Sequence, residues 1–147
     1  MDNKPIALIF GITGQDGSYL AKLLLEKGFT VFGTSRDATN ANKSNLVKLG
    51  ILNKVKIYTT CITDFRSVLF TLEKTKPDYV YHLSGQSSVG LSFSLPYEAI
   101  DSIFISTLNI LETIRFFNKN IRIFIPCSSD CFGSSTESNP SNEESFH

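Results

Sequence analysis

The segment Gly11-Ile12-Thr13-Gly14-Gln15-Asp16-Gly17 constrains this chain more than any other. It follows the apolar run Ile6–Phe10 and precedes residues with helical spacing. Apolar strand, glycine-rich turn and helix, in that order, form a phosphate site for a dinucleotide. Glycines permit a tight turn and close approach of the main chain to a pyrophosphate. The helix that follows offers free N–H groups and the positive end of its dipole. The alternative is a glycine-rich turn with no ligand.

Apolar strands and helical patterns alternate along the rest of the chain. Strands are expected at Ile6–Phe10, Thr30–Thr34, Val55–Tyr58, Tyr79–Leu83 and Ile121–Pro126. A first helix is expected at Gly17–Lys27, with Leu20, Leu23 and Leu24 on one face and Gly28 as its stop. A short helix follows at Asn42–Leu49, and another runs from Asp64 through Lys74 with Val68, Leu69 and Leu72 inward. Ser84–Ser94 reads as a long polar loop. Pro96 then starts a long helix to about Asn118, with Ile100, Ile103, Phe104, Thr107, Leu111 and Ile114 at core spacing. Short β-branched strands separated by helices predict an α/β fold: a doubly wound parallel sheet of Rossmann type in the order 3-2-1-4-5. Residues 1–133 would form this domain. Residues 134–147 are rich in Ser, Asn, Glu and Pro and read as a polar loop.

Composition narrows the function classes. Of 147 residues, 41% are hydrophobic, enough for one core. Fourteen basic residues balance fourteen acidic ones, so nothing steers the chain to nucleic acid or to an anionic membrane. No apolar stretch approaches the roughly 20 residues of a membrane helix. Met1–Pro5 runs into the first strand without an apolar signal segment, which gives the expectation of a cytoplasmic location. Cys61, Cys127 and Cys131, with His82 and His147, show neither a disulfide framework nor a metal-ligand spacing. No metal is expected, and the thiols read as small buried hydrophobes.

Ligands in such sheets bind at the carboxyl ends of the strands. After the second strand comes Arg36, whose planar fork suits the ribose 2′-phosphate of NADP. Asp37 comes one residue later and keeps NAD open, because an acidic residue here holds the ribose 2′-hydroxyl. After the third strand come Cys61 and Ile62. After the fourth come Leu83, Ser84, Gly85, Gln86 and Ser87: small residues that let main chain approach a cofactor, with hydrogen-bonding groups beside them. After the fifth come Ser128, Ser129 and Asp130. A hydroxyl pair beside a carboxylate reads equally as a catalytic cluster or as turn chemistry.

The glycines fall three and three apart, a spacing that resembles the extended short-chain dehydrogenase/reductases. The heptad continues into Ser18-Tyr19-Leu20. Further along stand Gln86-Ser87 with Val89, Ser92-Phe93, Thr107-Leu108, Leu111-Glu112, Ser128-Ser129-Asp130 and Phe132-Gly133, then Pro140 and Glu143. On these residues the chain resembles the GDP-mannose 4,6-dehydratase family along nearly its whole length.

The resemblance implies a lyase with bound NADP and a nucleotide-sugar substrate. In that family the sugar C4 hydroxyl is oxidised, an acidic residue removes the C5 proton, water leaves from C6, and the hydride returns there. It implies catalytic roles for Ser128, Ser129 and Asp130, which stand at the family's Thr-Ser-Glu. Asp130 is one methylene shorter, and a shortfall of about 1 Å costs on the order of 100-fold in rate. Cys61 stands where the family has Asp, Ser88 where it has His, and Arg36-Asp37 where it has paired arginines. The family's Tyr-x-x-x-Lys pair and substrate domain would lie beyond His147. The chain is therefore expected to be the cofactor half, inactive alone, of a full-length homo-oligomeric enzyme. An epimerase or keto-sugar reductase of the same superfamily, and a non-catalytic NADP-binding module, stay open as alternatives.

Overall fold

The computed structural model describes residues 4–117, 120–133, 136–138 and 140–145. The strand β1 (Ile6–Phe10) lies at the centre of the sheet because its apolar residues serve two layers. Side chains alternate across a strand, so Ala7 and Ile9 enter one core while Leu8 and Phe10 enter the other. All four are fully buried. A strand covered on both faces belongs to a parallel sheet whose crossovers are helices.

The remaining strands are β2 (Thr30–Ser35), β3 (Lys56–Thr59), β4 (Tyr79–His82) and β5 (Arg122–Phe124). They form one parallel sheet in the order β3-β2-β1-β4-β5. The helices α1 (Gln15–Glu26) and α2 (Ser44–Lys48) cover one face through Ala21, Leu24 and Leu46. The helices α3 (Phe65–Thr75) and α6 (Ser106–Phe117) cover the other through Val68, Leu72 and Ile110. The Asp64 carboxylate starts α3 by accepting the Arg66 N–H at 3.2 Å, and Lys76 ends it in the left-handed region at φ 46°. The expected architecture and strand order are those observed.

Several local expectations are corrected. Ser84–Ser94 is not all loop: its second half is the helix α4 (Val89–Ser94), started by the Ser88 hydroxyl accepting the Leu91 N–H. The long helix is a rod of three parts, α5 (Pro96–Ile100), a π-helical turn (Asp101–Ile105) and α6. A π turn takes in an extra residue, so apolar positions before it lose register with those after it. The expected inward stripe is accordingly turned outward at Ile100, Ile103, Phe104 and Leu111, while Ser106, Ile110 and Thr113 are buried. On α1, Leu23 is exposed, and the buried face is Gly17, Ser18, Ala21 and Leu24. Small residues are needed there because α1 lies so close to the preceding turn. The cysteines Cys61, Cys127 and Cys131 are exposed rather than buried, since all three follow strand ends where the chain leaves the sheet. The described residues of the 134–147 segment form turns and one isolated bridge at Thr136. No helix among the described residues is long and apolar enough to cross a membrane.

The close packing under α1 makes a prediction. A Cβ on Gly17 would lie 2.3 Å from the Gly11 carbonyl oxygen, whereas one on Gly90 in α4 would meet open space. Gly17→Ala should destabilise the fold by about 1–3 kcal/mol, the usual cost of overpacking, despite its better helix propensity. Gly90→Ala should be neutral or stabilise by up to about 1 kcal/mol. Urea midpoints of the two variants check this, and a stabilised Gly17→Ala would refute the packing argument.

Candidate functional site

The carboxyl ends of β1, β2, β3 and β4 open onto a cleft of about 760 Å³. Gly11, Thr13 and Gly14 line it from the first turn, Arg36 from the second, Cys61 and Ile62 from the third, and Leu83, Ser84, Gly85, Gln86 and Ser87 from the fourth. Volumes of several hundred Å³ are typical of ligand and cofactor sites.

The first turn is built by close approach of main chain. Gly11 has φ +85°, and a Cβ there would lie 2.5 Å from the Leu83 carbonyl oxygen. The Gly14 N–H donates to the Gly11 carbonyl at 3.1 Å, which closes the turn. Gly14 then begins α1 with no side-chain cap, so the first N–H groups of the helix open beside the cleft. Ile12 goes the other way, into the core, where it fills the space above Gly33. Gly17 is buried beneath the turn, and Gln15 and Asp16 are exposed on the first turn of α1.

Arg36 reaches across the cleft to Glu98 of α5, with a 4.0 Å separation between guanidinium and carboxylate. Both side chains are largely exposed, so this pair holds weakly. Asp37 is otherwise engaged. Its carboxylate accepts the N–H groups of Thr39 and Asn40 and the side-chain amide of Asn40. These bonds, led by the Asn40 side chain, hold its pKa below the ordinary aspartate value.

The third and fourth turns are also fixed by hydrogen bonds. The Cys61 N–H donates to the Ser67 hydroxyl at 2.9 Å, and the Cys61 Sγ lies 3.3 Å from the Thr63 hydroxyl. The Ile62 side chain is buried, and its carbonyl accepts from Asn109 of α6 at 3.0 Å. The Leu83 N–H continues the sheet by donating to the Phe10 carbonyl. The Gln86 N–H donates to Ser102 Oγ at 3.2 Å, and the Gln86 Oε1 accepts the Ser88 N–H at 2.8 Å.

The sequence reading did not anticipate Glu98, Asp101 and Ser102, which line the cleft from α5 and the π turn. Their spacing of i, i+3, i+4 marks one polar helix face and was the available signal. Ser128 is exposed and lies outside this cleft lining. The side chains of Ser129 and Asp130, in the turn Ser129–Phe132, are outside the described residues.

His82, the last residue of β4, is 4% exposed. Burial pushes its pKa below the ordinary histidine value. As pH falls through the unfolded-state value near 6.5, the unfolded chain takes up a proton that the folded ring resists. Stability contributed by neutral His82 should therefore be lost on acidification. The melting temperature should drop more steeply between pH 7 and pH 5 in the wild type than in His82→Asn. Equal slopes would show that His82 does not set the acid sensitivity.

Together the fold and the cleft define a class: a Rossmann-type α/β domain with its candidate site at the carboxyl edge of a parallel sheet. The model of the GDP-mannose 4,6 dehydratase family matches residues 8–147, and the chain belongs to that family. It is 38% identical over 141 residues to GDP-mannose 4,6 dehydratase 1 of Arabidopsis thaliana, covering 89% of this chain and 39% of that protein. It is 40% identical over 138 residues to the GDP-mannose 4,6-dehydratase of Vibrio cholerae serotype O1, covering 89% and 37%. The chain thus spans well under half the length of these relatives. Among solved structures it is similar to UDP-glucose 4-epimerase of Bifidobacterium longum in complex with NAD+ and UDP. The TM-score is 0.81 at 26% identity, over 95% of this chain and 42% of that one.

Proposed function

We propose that the chain binds NADP and forms the cofactor half of a nucleotide-sugar 4,6-dehydratase, one that converts GDP-mannose to GDP-4-keto-6-deoxymannose. The observation that carries this reading is the meeting of the Gly11–Gly14 turn, the uncapped start of α1 and Arg36 in one cleft. A pyrophosphate fits that turn because its glycines leave the main chain bare. Arg36 suits a 2′-phosphate, which as a dianion would displace the weak Glu98 contact. The carboxylate that would favour NAD, Asp37, is satisfied within its own loop. Bound in the cleft, NADP would supply the hydride acceptor and donor.

The chain's own groups divide the remaining work. The Thr13 N–H and the first open N–H groups of α1 hold the pyrophosphate, and the 84–87 segment lies along the other wall. The Ser128 hydroxyl hydrogen-bonds the C4 oxygen of the sugar. Asp130 takes the C5 proton and returns a proton to the C6 oxygen as water leaves.

Two measurements test this reading. Arg36→Ala should weaken NADP binding by about 10- to 100-fold, the worth of a charged hydrogen bond, while NAD affinity changes by less than about threefold. Titrations with the reduced dinucleotides, read by fluorescence, check this. In the full-length protein that carries this chain, GDP-mannose and NADP should yield the 4-keto-6-deoxy product. Asp130→Asn should abolish that product. Retained turnover to an epimer or a reduced sugar would favour the epimerase or reductase reading, which needs no carboxylate there.

A further inference from the structure

His82 lies behind the cleft rather than in it, yet both of its ring nitrogens are bonded to groups that shape the cleft. Nε2 lies 2.8 Å from the Ser106 hydroxyl of α6, and Nδ1 lies 3.2 Å from the hydroxyl of Ser84, a cleft residue. The Ser106 hydroxyl gives its proton to the Ser102 carbonyl, one helical turn back. Its oxygen can therefore only accept from the imidazole, which places the ring proton on Nε2. Nδ1 is then an acceptor, and the Ser84 hydroxyl must donate to it. With its proton turned inward, Ser84 presents lone pairs to the cleft.

Ser106 follows directly on the π turn, and Ser102 lies within it. Ser102 also receives the Gln86 N–H. The segment after β4 is thus tied to the helix above it at two points, Gln86 to Ser102 and Ser84 through His82 to Ser106. The ring is further held edge-on against Phe10 of β1, with centroids 6.3 Å apart.

We propose that His82 is a positioning residue of the dinucleotide cleft: bridged between Ser106 and Ser84, it sets Ser84 to accept a hydrogen bond from a hydroxyl of the bound ligand. This rests on the reading of the cleft as a dinucleotide site. Protonation of the ring would put a donor on Nδ1, reverse Ser84, and turn its proton toward the cleft. The arrangement therefore works only while the imidazole is neutral, the form that burial favours. The ionisable groups bordering the same cleft are Arg36 after β2, Cys61 after β3, and Glu98 and Asp101 on the helix. Tyr81 precedes His82 on β4. Among the described residues, none of these is hydrogen-bonded to the ring.

The test is NADP affinity of the chain from pH 5 to pH 7.5, measured for wild type, His82→Leu and His82→Asn. His82→Leu should bind about three- to tenfold more weakly at pH 7.5, the worth of one neutral hydrogen bond. His82→Asn keeps an acceptor for Ser84 at every pH and should bind within about threefold of wild type at pH 7.5. The ratio of wild-type to His82→Asn affinity should fall over the pH range in which the ring's nitrogen chemical shifts report its protonation; titration of the ligand itself cancels in that ratio. A purely structural histidine would shift the melting temperature and leave this ratio flat. A ratio that stays flat while the ring protonates, or His82→Leu binding like wild type, overturns the proposal. Should His82→Leu not fold, the nitrogen chemical shifts of wild-type His82 decide: the Nε2–H tautomer supports the proposal and Nδ1–H refutes it. If the wild type binds neither NADP nor NAD, the dinucleotide reading itself fails and takes this one with it. Binding that is indifferent to His82 defeats this one alone.

Discussion

Three stretches of main chain meet at the end of β1 with no room for a methyl group between them. Gly11 faces the Leu83 carbonyl at a distance where a Cβ would fall 2.5 Å away, and Gly17 sits under the Gly11 carbonyl at 2.3 Å by the same measure. These two approaches lock the start of α1 to the exit of β4. The cleft between them is assembled by backbone packing first, and side chains are added at its rim. Gly33 extends the same logic to β2, where Ile12 occupies the place a side chain would take. Replacing any of these glycines moves a wall of the site rather than one contact in it.

That construction explains the electrostatics of the cleft. Among the described residues its lining has one cation, Arg36, against the carboxylates of Glu98 and Asp101. A phosphate-bearing ligand would therefore be held by N–H groups and the helix dipole as much as by side-chain charge. Balanced net charge agrees with this, since long-range steering contributes little. Arg36 would then be left to discriminate at one end, while the neutral hydrogen bonds of Ser84, Gln86 and Ser102 give shape at the other.

The sheet and its order were legible because β1, β2 and β4 are short apolar runs separated by helical spacing, and parallel order follows from right-handed crossovers. The glycine turn and the strand-end residues Arg36, Cys61 and Ser84–Ser87 were legible for the same reason: position after a strand is a topological property. What hid from the sequence depended on contacts distant along the chain. The π turn at Asp101–Ile105 rotates the long helix, so a convincing apolar stripe through Ile100 and Phe104 faces outward. The same rotation brings Glu98, Asp101 and Ser102 to the cleft, a polar face overshadowed by that stripe. Asp37 looked available to a ribose, but its bonds to Thr39 and Asn40 depend on how its loop turns. His82 carried no motif, because its meaning comes from Ser106, 24 residues away.

The most direct test of the account is where a dinucleotide touches the protein. Backbone amide chemical shifts of the chain, followed as NADP is added, should move first at Gly11, Thr13, Gly14, Arg36 and the 84–87 segment. Shifts confined to another surface, such as the groove between Phe65 and Phe116 on the helical face, or no shifts at saturating nucleotide, would contradict it.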